Sequence, residues 1–150
     1  MIQIVPMGEE HFTEAARLEQ LCFTDGVSED GLRSFAGADA NHYYAAEEDG
    51  RFCGYGGFSL AADEAEILTV AVLPEMRRRG IARLLMERMM QDAADGGAAV
   101  MFLDVRQSNE GAQALYRSIG FAEIGVRRNY YTKPREDAVL MQIPLSGENF

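Results

Sequence analysis

Glu66-Ile67-Leu68-Thr69-Val70-Ala71-Val72-Leu73-Pro74, continuing into Glu75-Met76-Arg77-Arg78-Arg79-Gly80-Ile81-Ala82, is the stretch on which the fold turns. Glu66–Leu73 carries β-branched and aliphatic residues at both alternating positions, the pattern of a central strand covered on each face. Pro74 has no amide hydrogen to give a ladder and ends it. Strand alternation puts Glu66, Leu68, Val70 and Val72 on one face. A helix then runs from about Gly80 to Asp95, with Ile81, Leu84, Leu85 and Met89 on one apolar stripe and Gly96-Gly97 closing it. The three arginines thus stand at a helix N-terminus, where free amides and the helix dipole already supply positive potential. That is unfavourable until an anion docks, whereupon amides and guanidiniums act together; Gly80 and Ala82 leave room for its approach. A solvated charge run is an equal reading of these six residues taken alone.

Outward from this core, the remaining elements alternate. Ile2–Val5 reads as a short strand stopped by Pro6, and Glu9–Phe23 as a helix with Phe12, Ala15, Ala16, Leu18 and Cys22 at helical spacing. Ser28 caps a second short helix bearing Leu32 and Phe35 and ending near Gly37. Tyr43–Ala46 and Phe52–Phe58 flank Asp49-Gly50, a hairpin signal. Val100–Val105 is a second buried strand. Asn109 caps a helix with Ala112, Leu115, Tyr116 and Ile119 on one stripe, stopped by Gly120. Two strands follow, around Phe121–Tyr131 and Ala138–Leu145. The order β-α-α-β-β-β-α-β-α-β-β predicts a single α/β domain over residues 1–150, with helices flanking a mixed sheet.

Composition narrows the function. Of 150 residues, 24 are Asp or Glu and 14 Lys or Arg, a formal charge of -10, which argues against nucleic acid as a partner. Lys133 is the only lysine, so the cations are almost all planar guanidiniums. No apolar run reaches the roughly 20 residues of a membrane span, and the first residues lack a signal-peptide pattern, which predicts a cytoplasmic protein. Cys22 and Cys53 sit among apolar neighbours without metal-ligand spacing and read as reduced core thiols; no metal is expected. His11 and His42 are isolated and receive no role.

Other phosphate loops fit less well. The Arg-rich stretch lacks a Gly-Lys-Ser/Thr ending, and Gly54-Tyr55-Gly56-Gly57 has the wrong spacing for a dinucleotide fingerprint, reading instead as a strand with close backbone packing. The pattern Val72-x-Pro74 followed by Arg77-x-x-Gly80-x-Ala82 resembles the acetyl-CoA signature of the GNAT N-acetyltransferases. Leu103-Asp104-Val105-Arg106, Ser108-Asn109, Ala114-Leu115-Tyr116 and Ile119-Gly120-Phe121 strengthen the resemblance. Arg127-Arg128-Asn129-Tyr130-Tyr131 with Arg135-Glu136-Asp137-Ala138 is similar to the RimI-type enzymes, which acetylate the N-terminal alanine of ribosomal protein S18. The resemblance is dense from about Glu66 to Leu145. Two positions depart from the RimI-type pattern. Asp104 stands where glutamate is usual, and Phe23–Ser28 lacks a Pro-Trp pair, the chain having no Trp.

The resemblance implies a GNAT fold, its central sheet mixed but mostly antiparallel, using acetyl-CoA as co-substrate and transferring acetyl directly to an amine. It implies that Val70, Ala71 and Val72 offer backbone groups to the pantetheine and thioester, and that amides from Arg77, Arg78, Arg79, Gly80, Ile81 and Ala82 bind the pyrophosphate. Asn109 would contact the cofactor near its thiol, Tyr116 would protonate the leaving thiolate, and Asp104 would stand in the position of the general base, with Glu66 as competitor. Tyr130 and Tyr131 would cover the acceptor, an S18-like protein N-terminus. From periodicity alone, Tyr116 reads first as a core aromatic, and Asp104 could equally pair with Arg106 or another arginine, because an unpaired buried carboxylate is costly. A small-molecule amine, a lysine side chain, or a non-catalytic acyl-CoA-binding module remain as alternatives.

Overall fold

A computed structural model describes residues 1–23, 26–132 and 134–145. In chain order it has β1 (Ile2–Pro6), α1 (Phe12–Cys22), α2 (Glu29–Ala36), β2 (Asn41–Glu48), β3 (Arg51–Ala61), β4 (Glu64–Val72), α3 (Ile81–Asp95), β5 (Val100–Arg106), α4 (Glu110–Ile119), β6 (Ala122–Thr132) and β7 (Arg135–Pro144). Short 3-10 turns, Glu9–His11 and Pro74–Met76, precede α1 and follow β4. This is the predicted order. Of the stretch Phe23–Ser28, Thr24 and Asp25 lie outside the described residues, as does Lys133.

Local chemistry accounts for the boundaries. Ser28 Oγ accepts from Gly31 N at 3.0 Å and starts α2, and Asn109 Oδ1 accepts from Ala112 N at 3.1 Å and starts α4. The β2–β3 hairpin turns on Asp49 and Gly50, both at positive φ (52° and 81°). In β3, a Cβ on Gly54 would come within 2.6 Å of Ala71 O, and one on Gly57 within 2.5 Å of the Tyr43 ring. The glycine run is therefore a strand with close backbone packing, as expected.

The seven strands form one sheet in the order β1-β2-β3-β4-β5-β7-β6, antiparallel at every ladder except β4–β5. α3 buries Ile81, Leu85, Met86, Met89, Met90 and Ala93 in one cluster with Phe58, Met101, Leu103 and Met141; Leu84, predicted on that stripe, sits at its margin, 37% exposed. Across the sheet, Ala15 and Leu18 of α1 and Leu32 of α2 pack on Ala45, Phe52, Tyr55 and Ala71. Each fully buried Leu or Met contributes on the order of 1.5–3 kcal/mol. His11 is buried where Nδ1 accepts from Gly8 N (2.9 Å) and Nε2 meets Glu47 (3.0 Å), a structural post at the foot of α1.

β4 is central and covered on both faces, but it does not alternate uniformly. Gly57 opposes Thr69 and Phe58 opposes Ile67, so Leu68 is the extra residue of a bulge. The bulge reverses the parity of the strand. Ala65, Ile67, Val70 and Val72 all pack in the α3-side cluster, and Ala71 in the other. The single face predicted for Glu66, Leu68, Val70 and Val72 is therefore broken at Leu68, since an inserted residue turns every later side chain over.

Gly54→Ala is expected to lower stability by about 1–3 kcal/mol, because the methyl would meet the backbone of Ala71 and Val72 and neither can yield. Denaturant unfolding followed by circular dichroism reads this directly; an unchanged midpoint would contradict it.

Candidate active site

The site begins where the parallel ladder stops. β4 and β5 pair only at Glu64↔Val100, Ala65↔Met101 and Glu66↔Phe102. Beyond these pairs β4 stays on β3 as far as Val72↔Gly54, and β5 stays on β7 as far as Arg106↔Ala138. The wedge between them holds two cavities, of about 470 Å³ and about 680 Å³. Cys22, Phe23, Val70, Asn109 and Tyr116 line both, so the two form one continuous groove.

The larger cavity opens on the N-terminus of α3. No side chain caps this end and no acidic residue stands in its first turn. Gly80 is the N-cap at φ 79°, with open space where a Cβ would be; glycine is needed for its left-handed backbone more than for clearance. Arg78 is also left-handed (φ 64°), which costs an ordinary residue about 1–2 kcal/mol. Arg77, Arg78, Gly80, Ile81 and Ala82 line this cavity together with Val70, Ala71, Val72 and Asn109. Arg77 donates from Nε to Val72 O (3.3 Å) and from Nη2 to Cys22 Sγ (3.4 Å). The side chain of Arg79 does not join them. It forms a fork on Glu48, at 3.0 and 2.5 Å, and this ion pair holds the Glu48 carboxyl below its ordinary range.

The smaller cavity carries the acid–base candidates. Asp104, 12% exposed, accepts at Oδ1 from Arg127 Nε at 2.9 Å. Its cationic partner is thus an arginine of β6 rather than Arg106, which reaches Glu136 Oε1 at 3.2 Å and lies 4.2 Å over the Tyr131 ring. Tyr130 and Tyr131 meet edge to face, 5.1 Å apart, and both line the cavity. They are aimed there by an irregular register in β6, where Asn129 takes φ 53° and donates its amide to Asp137 at 2.8 Å. Tyr116 stands where the cavities meet, edge-on to Phe121, and burial pushes its phenol up to about 12. Glu66 is exposed at the closed end of the wedge and lines neither cavity.

Comparison with known proteins identifies the family. Residues 12–121 match the model of the acetyltransferase (GNAT) family. The chain belongs to the GNAT family. This acetyltransferase is 36% identical over 118 residues to the [ribosomal protein bS18]-alanine N-acetyltransferase of Escherichia coli, covering 76% of the chain and 80% of that protein. The crystal structure of the Escherichia coli ribosomal-protein-S18-alanine N-acetyltransferase superposes with TM-score 0.88, covering 100% of this chain and 99% of that one at 32% identity. It is also 42% identical over 106 residues to the N-alpha-acetyltransferase RimI of Mycobacterium tuberculosis, covering 68% and 65% of the two chains. The yncA protein of Salmonella typhimurium, solved with its cofactor acetyl-CoA, shares the fold at TM-score 0.86 and 20% identity, covering 97% and 95% of the chains. The predicted fold and the RimI-type resemblance are both borne out.

GNAT enzymes use acetyl-CoA, and the residues of this chain fit it: a long groove ends at an uncapped helix with positive potential, where a pyrophosphate has partners. Among the described residues, no group of three or more His, Cys, Asp or Glu is placed to hold a metal ion, and no helix is long and apolar enough to cross a membrane.

The groove also has lining residues outside the expected site set, among them Arg83, Cys22, Phe23 and Glu19. Arg83 lines the larger cavity and donates to Ser118 Oγ, tying α3 to α4. Cys22, predicted as a core thiol, lines the groove, whereas Cys53 is fully buried. Phe23 closes the groove beside it. Glu19 lines the smaller cavity and is only 7% exposed. A signal for Glu19 existed: a carboxylate falls on the apolar stripe Ala15-Leu18-Cys22 of an amphipathic helix, the side turned away from the outer surface.

Two arginine substitutions test the electrostatics. Arg78→Ala is expected to weaken binding of CoA by about 10–100-fold, the value of a charge-assisted contact. Arg79→Ala is expected to change it less than about threefold, since that side chain serves an exposed pair with Glu48 worth at most about 1 kcal/mol. Titration calorimetry with CoA separates the two; equal effects would contradict the assignment.

Proposed function

We propose that this enzyme transfers acetyl from acetyl-CoA to the α-amine of a protein N-terminus, with an S18-like N-terminal alanine as the leading acceptor. The observation that carries this reading is the continuous groove: an anion-binding helix end at one extremity, two tyrosines and carboxylates at the other, and Tyr116 at the junction. The two relatives named for N-terminal acetylation extend the support to the acceptor class.

The amides of residues Arg77–Ala82 receive the pyrophosphate, with Arg77 and Arg78 beside it. The open backbone edge of Val70–Val72 takes the pantetheine and donates to the thioester oxygen as negative charge develops there. Asn109 caps α4 with its side chain and faces the thiol end. Acetyl-CoA supplies the acetyl group already activated as a thioester. Tyr116 donates its proton to the departing sulfur; a phenol held near 12 is protonated throughout the neutral range, so this donor imposes no alkaline loss of activity below about pH 11. Tyr130 and Tyr131 wall the acceptor side. Asp104, oriented by Arg127, is close enough to the cavity to hold the incoming ammonium or a water attached to it. Glu66, outside the cavity, has no such reach. The chain's charge of -10 favours approach of a basic protein terminus.

Incubation with acetyl-CoA and a mixture of N-terminal peptides, one with an S18-like Ala-Arg start, followed by mass spectrometry, is expected to find acetyl on the α-amine of the Ala-Arg peptide. Modification confined to lysine side chains or small amines would overturn the acceptor assignment. Tyr116→Phe is expected to lower kcat by about 10²-fold while CoA affinity stays within twofold.

A further inference from the structure

Among the described residues, Glu19 is the most thoroughly buried carboxylate of the site, and none of the roles above uses it. It belongs to α1, lines the smaller cavity together with Asp104, and is 7% exposed. Tyr55 of β3 donates its hydroxyl to Glu19 Oε2, and the backbone of Val27, beyond α1, lies near the same carboxylate. The Tyr55 hydrogen bond therefore orients the group while it still lines the space in which an acceptor amine must lie. The competing carboxylates are less free. Asp104 Oδ1 is taken by Arg127, and Glu66 is outside the cavity.

We propose that Glu19 accepts the proton of the acceptor ammonium. This rests on the acetyl-transfer reading above. The protonated amine gives one proton to the Glu19 carboxylate, and its freed lone pair forms the C–N bond at the thioester carbon. The C–S bond breaks, the sulfur takes the Tyr116 proton, and the second proton of the former ammonium restores the phenol. Glu19 then returns its proton to water through the open cavity, so that one ammonium and one thioester give one amide, one thiol and one proton. The environment suits a base that must lift a proton from an amine. Burial is the largest influence on Glu19 and raises its affinity for a proton, the Tyr55 hydroxyl and the nearby Val27 backbone moderating the rise. Among the described residues, the titratable and charged groups around it are Tyr55 from β3, Tyr43 from β2 and Cys22 on its own helix, with Asp104 and Arg106 of β5, Tyr116 of α4, and Tyr130 and Tyr131 of β6 lining the same cavity. No arginine pairs with it among the described residues, in contrast to Asp104.

The test is the pH dependence of kcat for the wild type, Glu19→Gln, Asp104→Asn and Tyr55→Phe with acetyl-CoA and the Ala-Arg peptide. Glu19→Gln keeps the size of the side chain and is expected to lower kcat by about 10²-fold or more and to abolish the acid limb, with CoA affinity unchanged. Asp104→Asn is expected to raise KM for the peptide and keep the limb. Tyr55→Phe, which never touches substrate, removes a donor to the charged carboxylate and is expected to move the limb to higher pH. A structural role for Glu19 would move stability without moving the limb. Retention of the wild-type limb in Glu19→Gln, or its loss in Asp104→Asn alone, overturns the proposal. A wild type that acetylates no peptide at all would instead overturn the acetyl-transfer reading.

Discussion

β4 and β5 share three residue pairs and then part, and the rest of the molecule is arranged around the backbone groups this leaves without a ladder. Such groups cannot be enclosed without partners, since each unsatisfied one costs about 1–3 kcal/mol. Here they border an open groove, where water or a bound extended ligand can serve them. The parting needs support from both sides. β4 bulges at Leu68 while holding β3 through the tight Gly54 and Gly56 approach, and β5 is held in a seven-pair ladder by β7. α3 and α4 close the floor, joined through Arg83 and Ser118.

The charges follow the same division. At the α3 end the positive potential comes from backbone as much as from side chains, and Arg79, whose guanidinium would add to the crowding, is neutralised by Glu48. At the other end the carboxylates are set in graded surroundings. Asp104 is paired with a half-exposed arginine, Glu136 with Arg106, and Glu19 with a phenol in a buried recess. A groove with cationic and anionic extremities orients a molecule having a phosphate at one end and meeting an ammonium at the other.

Much of this was legible in residue order. The eleven elements, the Ser28 and Asn109 caps, the Asp49-Gly50 hairpin and the arginine-glycine loop before α3 all depend on short-range rules: capping geometry, positive φ and apolar period. Most of the predicted site residues fall along the groove. Three placements needed the tertiary structure. Glu66 does not share the face of Val70, because alternation does not persist through Leu68, where one inserted residue reverses it. The Arg79 side chain turns away from the α3 end, because sequence adjacency does not reveal that Glu48, 31 residues earlier, lies within reach. Cys22 packs on the core and also borders the groove, because an apolar helical stripe looks the same whether it faces packed side chains or a cavity.

The sequence by itself determined the order and type of the elements and the chemical character of the loop before α3, since both are written in contacts a few residues apart. Its motifs also determined the family. Only the tertiary structure decided where the sheet opens, which arginines face the opening, and which carboxylates share a cavity with Tyr116. Those outcomes depend on strand register and on partners distant in sequence: Asp104 with Arg127, Arg79 with Glu48, and Glu19 with Tyr55. Pairings of that kind are set by how helices and sheet pack, and no local pattern encodes them.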